Sequence, residues 1–377
     1  MRILADENMP GVDRLFADVA TDIVYTAGRT LSPQQVATAD VLLVRSVTPV
    51  NAALLGNHSP AFIGSATIGT DHIDLPLLTQ RRIPFAHAPG CNADAVCDYV
   101  LAALLALHAA NPKLLANKTM SVIGAGNVGS RVVQRFRSLG LTVRVCDPPL
   151  AELPSNNATF VSLYDAMQAD IVCLHTPLTT SGSHPTHHLL DAAALALLPD
   201  NAILLNAGRG AVIEAAALQR FLVQRPDVQV VLDVWENEPS IDLALLPLIR
   251  IATGHVAGYS LEGKWRGTRM LRQALDQLVN GKSGVIPSLA ELLPSAHSIL
   301  VLEAEPWQAL YDTVEAVYDI VADDRRFRHA MAEPNHGAAF DEYRKSYPVR
   351  REITSCRALV DDSPAKALLV AAGFSVA

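Results

Sequence analysis

Three side chains in the second half of the chain have the chemistry to act together on a small acid. Arg209, in NAGRGAVI, carries a planar guanidinium that can hold a carboxylate through two parallel hydrogen bonds. His255, in GHVAG, can accept a proton from a hydroxyl group near neutral pH. Glu238, in DVWENEP, can orient an imidazole and stabilise its charged form. The three residue types predict proton transfer on a ligand that bears a carboxylate.

The elements before these residues would bring them to one place. Each residue follows a short apolar run that predicts a buried parallel strand: AILLNAG, VQVVLDV and LIRIAT. Taken singly, an arginine in a helix-end salt bridge, a glutamate in a turn and a histidine at a helix cap are ordinary features. Ligands bind at the carboxyl ends of such strands, so the placement of all three after successive strands favours a site.

A glycine-rich turn between a strand and a helix predicts a dinucleotide site. In TMSVIGAGNVG, Gly124 permits a tight turn, Gly126 lets a pyrophosphate approach the backbone, and Gly129 lets the helix pack on the strand. The helix that follows offers its unpaired N–H groups to phosphates. The next strand, LTVRVCD, ends in Asp147, where a carboxylate would bind a ribose 2′-hydroxyl and repel a 2′-phosphate. The sequence therefore predicts NAD rather than NADP, and the cofactor turn and the three side chains together suit hydride transfer from a 2-hydroxy acid.

Composition excludes several other classes of protein. The net charge of −8 argues against nucleic acid as a partner, because phosphate contacts need a basic surface. The longest apolar stretch, VLAALLALHAA, is too short to span a bilayer, and MRILADENMP lacks the apolar core of a secretory signal. The five cysteines are widely spaced and predict small buried residues. We therefore expect a cytoplasmic protein with no membrane partner.

A histidine-rich tract, SHPTHHLL, invites comparison with metal sites. It contains His184, His187 and His188, but no Cys, Asp or Glu follows at the spacing of metal ligands. A polar loop is the favoured interpretation, and no metal site is predicted.

The 377 residues predict more than one domain, and strands alternate with helices through most of them. A first series comprises the strands RILAD, DVLLVRS, AFIGSA and IPFAHAP, and a second begins at the glycine-rich turn. Long helices are predicted over Asn92 to Lys113, with Pro112 as its stop, and over EGKWRGTRMLRQALDQLVNG. From about Val285 the chain is punctuated by proline, and its last part mixes helix and strand signals.

The segments VIGAGNVGSRV, LHTPLT, NAGRGAVI, DVWENEP and GHVAG resemble the D-isomer-specific 2-hydroxyacid dehydrogenase family across roughly residues 1 to 280. The resemblance implies an α/β fold with two Rossmann-like, doubly wound parallel-sheet domains, in which the substrate domain is split in sequence. It implies residues 1–92 as the first part of the substrate domain, 93–256 as the NAD domain and 257–285 as a return helix. It also implies Arg209 as carboxylate anchor, His255 as acid/base and Glu238 as its partner.

A second set of segments is similar to one branch of this family, which acts on a 4-phosphorylated sugar acid in vitamin B6 (pyridoxal phosphate) biosynthesis. These segments are MRILADENMP, LLVRSVTPVN, IGSATIGTDHID, APGCNADAVCDYV, VCDPPLAE and GHVAGYSLEGKWRGT. This resemblance implies a homodimer, formed by a small C-terminal α+β domain over residues 286–377. It implies that the substrate contacts Ser46, Thr67 and Tyr259. It also implies that NAD contacts the following residues: Gly124, Gly126, Asn127, Val128, Gly129, Asp147, Thr176, Ala207, Gly208, Arg209, Asp233 and Gly258.

Two glycines depart from the family pattern, because Gly254 stands where proline is usual and Gly208 where serine is usual. Both change the backbone stiffness beside catalytic groups.

A phosphate on the substrate would also need a cation. The candidates are Arg45, Lys264 and Arg266, with Arg350 or Arg351 as more distant choices. Two alternative interpretations remain: a phosphoglycerate dehydrogenase or another D-2-hydroxyacid dehydrogenase, and an NAD-sensing binding protein without activity.

Overall fold

The computed structural model describes residues 1–154, 158–281, 285–295, 297–302, 305–361 and 364–377. The chain forms two compact units, which we call unit 1 (Met1–Asn92 and Ser260–Ser295) and unit 2 (Ala93–Tyr259 and Ala296–Ala377). The sequence predicts a change of domain after residue 256 and a separate domain from residue 286. In the structure the chain leaves unit 2 after Tyr259, and its C-terminal part returns to unit 2. Residues 282–284 of the predicted return segment lie outside the described residues.

The strands of the described residues form three sheets in which every pairing is parallel. In chain order they are β1 (Arg2–Asp6), β2 (Asp22–Thr26), β3 (Val41–Val44), β4 (Phe62–Ser65), β5 (Phe85–His87), β6 (Thr119–Ile123), β7 (Thr142–Cys146), β8 (Ile171–Leu174), β9 (Ile203–Asn206), β10 (Gln229–Leu232), β11 (Ile251–Ala252), β12 (His297–Leu300), β13 (Cys356–Leu359) and β14 (Ser375–Val376).

The helices of the described residues range from single turns to fifteen residues. In chain order they are α1 (Val12–Leu15), α2 (Pro33–Val36), α3 (Ala52–Leu55), α4 (Leu75–Gln80), α5 (Ala93–Leu107), α6 (Asn127–Ser138), α7 (Pro148–Ala151), α8 (Leu163–Ala166), α9 (Ala192–Leu195), α10 (Ala215–Gln224), α11 (Leu261–Leu275), α12 (Leu289–Leu292), α13 (Pro306–Val317), α14 (Ile320–Met331), α15 (His336–Lys345) and α16 (Pro364–Ala372). None of these helices has the length and apolar character that a bilayer crossing requires.

Unit 1 is a sheet in the order β2-β1-β3-β4-β5 with a core on each face. Successive side chains of a strand point to opposite faces, so Ile3 packs in one core and Leu4 in the other. The first core contains α1 and α11, and the second contains α2, α3 and α4. Helix α11 begins where the sequence predicts it, and Ser260 caps it by accepting a hydrogen bond from the Gly263 amide at 2.9 Å.

Unit 2 contains a sheet in the order β11-β10-β9-β8-β6-β7. The order reverses at β6, which has the next strand in sequence, β7, on one side and β8 on the other. Helix α5 is buried along most of its length, as the sequence predicts. It ends at Leu107 rather than at Pro112, because the chain turns where the His108 side chain hydrogen-bonds the Leu104 carbonyl oxygen at 2.7 Å.

The C-terminal residues 297–302, 305–361 and 364–377, which we call the C-terminal module, carry the third sheet in the order β12-β13-β14. Helices α13 and α16 pack against α5 and α6, and α14 packs against β11. The two largest cores of unit 2 therefore include side chains of the module, such as Leu310 in one and Phe327 in the other. The module shares the hydrophobic cores that cover the six-stranded sheet of unit 2.

Candidate active site

The glycine-rich turn lies between β6 and α6, where the strand order of the unit 2 sheet reverses. Gly124 has a φ of 88°, which favours glycine. A Cβ on Gly129 would lie 1.8 Å from the Gly124 carbonyl oxygen, so this position also requires glycine. A Cβ on Gly126 would meet nothing within 4 Å. The turn is therefore closely packed at Gly124 and Gly129 and open at Gly126, where a pyrophosphate could approach the backbone. Asn127 and Val128 begin helix α6 at this point, so its unpaired N–H groups are available to phosphates.

Two side chains next to this turn have polar atoms suited to the rest of a dinucleotide. Asp147 directly follows β7, and its Oδ2 accepts a hydrogen bond from the Ala125 amide at 2.7 Å. Thr176 follows β8, and a Cβ on Gly124 would lie 2.9 Å from its methyl group. Its hydroxyl oxygen is buried and has no hydrogen-bond partner within the described ranges. A buried hydroxyl without a partner fits a polar group of a bound cofactor.

Replacing Asp147 with serine is expected to relax the preference for NAD. The serine removes the negative charge that would repel a 2′-phosphate, while its hydroxyl can still accept the Ala125 amide. The ratio of kcat/KM with NAD to that with NADP should fall by about tenfold or more. Asp165→Ser, an exposed carboxylate at the end of α8 in the same unit, is the control. An unchanged ratio would contradict this role for Asp147.

The loop after β9 is fixed by hydrogen bonds within itself. The Asn206 side chain accepts from the Gly208 amide and donates to the Arg209 carbonyl oxygen, each at 3.0 Å. The Arg209 guanidinium donates to the Gly208 carbonyl oxygen at 2.9 Å. A Cβ on Gly208 would lie only 3.0 Å from the Thr176 carbonyl oxygen, so the serine usual in the family would require a small shift here. The glycine lets the Ala207–Arg209 loop approach the end of β8 closely.

His255 and Glu238 form a hydrogen-bonded pair after β11 and β10. The His255 Nδ1 and the Glu238 Oε2 are 2.7 Å apart, and the other carboxylate oxygen accepts the Trp235 amide at 2.7 Å. Burial raises the pKa of Glu238, but His255 and these hydrogen bonds outweigh that effect and hold the pKa below its usual value. The carboxylate is therefore ionised at neutral pH. Because Nδ1 is engaged, Nε2 is the ring nitrogen that remains for proton transfer.

Asp233 holds the backbone around His255 in place. Its carboxylate accepts hydrogen bonds from the Thr253 hydroxyl at 2.7 Å, the Val256 amide at 2.8 Å and the Ala257 amide at 2.9 Å. The His255 amide donates to the Asp233 carbonyl oxygen at 2.6 Å. His255 has a φ of 59°, an unusual backbone conformation for a residue other than glycine. Asp233 is only 1% exposed, and its contact with NAD stays a prediction.

Tyr259 lies four residues after His255 and is surrounded by side chains of the C-terminal module. The Arg344 guanidinium carbon is 5.6 Å from the centre of the Tyr259 ring, and the Tyr347 ring meets it edge-on at 5.7 Å. Sequence reasoning missed both residues, because they lie far along the chain in a region without a recognisable motif. Gly258, the predicted NAD contact beside Tyr259, is partly exposed.

The other predicted substrate residues, Ser46 and Thr67, belong to unit 1. Ser46 is exposed just after β3, and Thr67 follows the neighbouring strand β4. The Thr67 hydroxyl donates to the Gly69 carbonyl oxygen at 2.9 Å and lies 2.7 Å from the Ser65 hydroxyl. Both follow adjacent parallel strands, so they lie at the same edge of that sheet.

The candidate cations for a phosphate differ in their partners and in their exposure. Arg45 is paired with Asp6 at 3.0 Å, and Arg266 donates to the Cys91 carbonyl oxygen. Arg350 is only 6% exposed, which makes it a poor phosphate ligand. Lys264, on the first turn of α11, and Arg351 are both partly exposed.

The histidine tract gains an acidic neighbour that its sequence spacing does not indicate. Glu236 comes from the loop after β10, and ligand atoms of His187, His188 and Glu236 all lie within 4.8 Å of one another. The His188 Nε2 and the Glu236 Oε1 are 2.7 Å apart, and the two histidine rings stack at 3.9 Å. The other Glu236 oxygen accepts the Ala215 amide at 3.0 Å. These hydrogen bonds fix the positions of the His188 and Glu236 side chains.

The chain is similar to known proteins in sequence and in fold. The sequence profile of the D-isomer specific 2-hydroxyacid dehydrogenase NAD-binding domain matches residues 106–257. A second profile, described only as a domain of unknown function, matches residues 294–373. The solved structure of the TT0316 protein from Thermus thermophilus superposes with a TM-score of 0.63 at 26% identity, covering 76% of this chain and 99% of that one.

Curated relatives match nearly the whole chain. An erythronate-4-phosphate dehydrogenase of Stutzerimonas stutzeri is 45% identical over 99% of this chain and 98% of its own length. One from a Shewanella species is 47% identical over 94% of each chain. The matched profile and the fit of the glycine-rich turn make NAD the cofactor. The chain is thus an NAD-dependent hydroxyacid dehydrogenase and belongs, with the erythronate-4-phosphate dehydrogenases, to the D-isomer-specific 2-hydroxyacid dehydrogenase family.

Proposed function

We propose that this enzyme oxidises 4-phospho-D-erythronate to 2-oxo-3-hydroxy-4-phosphobutanoate, in the biosynthesis of pyridoxal 5′-phosphate in the cytoplasm. The names and near-complete coverage of the curated relatives support this substrate. The observation that carries the chemistry is the 2.7 Å hydrogen bond between His255 and Glu238 at the carboxyl edge of the NAD-binding sheet.

In the proposed reaction the C2 hydroxyl group becomes a ketone. Bound NAD supplies the acceptor for the hydride that leaves C2. The Arg209 guanidinium binds the substrate carboxylate, which holds C2 in place. The His255 Nε2 accepts the hydroxyl proton, and Glu238 stabilises the imidazolium that results. One hydride and one proton leave the substrate, so the two-electron oxidation balances.

The remaining substrate groups would contact the polar side chains that the family resemblance assigns to the substrate. Ser46, Thr67 and Tyr259 supply hydroxyl groups for the phosphate and the C3 hydroxyl. We propose Lys264, on the first turn of α11, as the cation for the phosphate. These contacts would favour a four-carbon acid with a terminal phosphate over a shorter one.

Initial rates with two phosphorylated acids test the proposal. We expect NADH formation with 4-phospho-D-erythronate, and a kcat/KM at least roughly 100-fold lower with 3-phosphoglycerate. A preference for 3-phosphoglycerate would identify a phosphoglycerate dehydrogenase instead. Tight NAD binding without NADH formation from either acid would favour a binding protein.

We also propose that the C-terminal module forms a homodimer. Leu300 and Leu359 are paired on neighbouring strands of its sheet and are 66% and 36% exposed, and Leu302 beside them is 85% exposed. Grouped exposed apolar side chains of this kind mark interaction surfaces.

Leu300→Glu should shift the enzyme from dimer to monomer in light scattering, because it places a charge in the proposed interface. Val223→Glu, at an equally exposed position of α10, should leave the mass unchanged. A Leu300→Glu enzyme that remains dimeric would contradict this surface. Deleting the module is a poorer test, because it would also open the core of unit 2.

A further inference from the structure

The backbone just before His255 is packed by aromatic side chains of the C-terminal module. A Cβ on Gly254 would lie 2.8 Å from the Phe327 ring and 2.9 Å from the Tyr343 ring. The Phe327 ring also packs against Trp235 at 5.7 Å, and the Trp235 indole donates to the Thr253 carbonyl oxygen at 2.8 Å. Glycine therefore replaces the family's usual proline because helices α14 and α15 lie directly against this strand end.

The backbone just after His255 is held by a buried arginine of the same module. The Arg350 guanidinium donates to the Ala257 carbonyl oxygen, and its carbon lies 4.0 Å from the centre of the Tyr318 ring. The same group donates to the Ala95 carbonyl oxygen, at 3.4 Å, at the start of α5. The His255 backbone is therefore fixed on both sides by residues that come much later in the sequence.

A third contact reaches the side chains of the site itself. The Arg344 guanidinium carbon lies 5.6 Å from the centre of the Tyr259 ring, four residues after His255. Burial raises the pKa of Glu238, and the charge of Arg344 joins that of His255 in lowering it. The Nε of Arg344 is buried and has no hydrogen-bond partner in the described part of the chain. Arg344 is therefore a cation of the module that lies beside Tyr259 and whose charge acts on Glu238.

We propose that the C-terminal module is part of the catalytic apparatus, and that Arg344 is a positioning residue that orients Tyr259 and the His255–Glu238 pair. This inference rests on the proposed role of His255 as the base. It gives the module a function besides dimer formation, because the contacts all lie within one chain. The guanidinium acts in two ways, through its planar contact with the tyrosine and through its positive charge.

Arg344→Met and Arg344→Lys, made in the full-length enzyme, separate these two effects. With 4-phospho-D-erythronate as the probe, Arg344→Met should lower kcat roughly 10- to 100-fold, because Tyr259 and His255 lose their alignment. The acid limb of the pH profile of kcat/KM should move to higher pH, because removing a positive charge makes the pair easier to protonate. Arg344→Lys should restore the position of that limb while kcat stays reduced.

Controls distinguish positioning from folding. Arg325→Met removes an arginine of α14 that is 71% exposed, and it should match the unmodified enzyme in kcat and in pH profile. The affinity of Arg344→Met for NAD and its melting temperature should stay close to those of Arg325→Met. A rate and pH profile equal to those of Arg325→Met would overturn the inference. So would a rate loss that merely follows a loss of folded protein or of NAD binding.

The His255→Asn enzyme, assayed in parallel, separates this inference from the function on which it rests. If His255→Asn retains activity, the proposed function fails. If His255→Asn is inactive while Arg344→Met is unaffected, only the positioning role is rejected.

Discussion

Replacing His255 with asparagine is expected to lower kcat by about 10²- to 10⁴-fold, because asparagine cannot accept the hydroxyl proton as the hydride leaves. The imidazole is oriented by a 2.7 Å hydrogen bond to the Glu238 carboxylate, which is 19% exposed. Steady-state formation of NADH measures kcat, and quenching of protein fluorescence measures NAD affinity. The affinity should stay close to that of the unmodified enzyme, since the base acts on the substrate.

The chain contains a matched control for this substitution. His188 and Glu236 form a second histidine–glutamate pair in the same unit, also at 2.7 Å and with a similarly exposed ring. His188→Asn should leave kcat within a few-fold of the unmodified enzyme. If the two variants lose activity equally, the loss comes from disrupting unit 2, and His255 is not the base.

Replacing Arg209 with methionine is expected to lower kcat/KM by about 10²- to 10³-fold, or about 3–4 kcal/mol of transition-state binding. Methionine keeps an unbranched apolar stem but cannot bind the substrate carboxylate, which then leaves C2 poorly placed. Arg209→Lys should recover only part of the loss, because an ammonium group cannot form two parallel hydrogen bonds to a carboxylate.

Arg220→Met supplies the comparison, since Arg220 is an exposed arginine of α10 in the same unit. Its kcat/KM should equal that of the unmodified enzyme. Should Arg209→Met retain normal kcat/KM while NAD affinity falls, the arginine would belong to the cofactor site rather than to the carboxylate site.

Most of the fold follows from local patterns in the sequence. Short apolar runs predict the buried strands of both large sheets, because parallel strands covered on both faces are apolar throughout. The apolar runs do not predict strand β2 of unit 1, because its residues DIVYT lie at the edge of the sheet and are only partly buried. The end of α5 is also misplaced, because proline marks the latest residue at which a helix can end rather than the residue at which it does.

Some residues of the candidate site can be predicted from local sequence patterns and others cannot. The glycine-rich turn, Asp147, Arg209, Glu238 and His255 are predictable, because each follows a strand and the carboxyl ends of parallel strands meet at one edge. The residues of the C-terminal module are different. Nothing in the local sequence around Arg344 or Arg350 indicates that this part of the chain packs beside the residues that follow β11. The proline-rich break before it suggests a separate domain.

The sequence by itself therefore determines a dinucleotide-binding sheet, its cofactor turn, and the arginine, glutamate and histidine that follow its later strands. Only the tertiary structure decides which nitrogen of His255 bonds Glu238, which aromatic rings lie against Gly254, and that Arg344 and Arg350 contact Tyr259 and Ala257. The physical reason is distance along the chain. Periodicity and turn chemistry act over a few residues, whereas the contacts of the C-terminal module join positions far apart in sequence and depend on how whole helices pack.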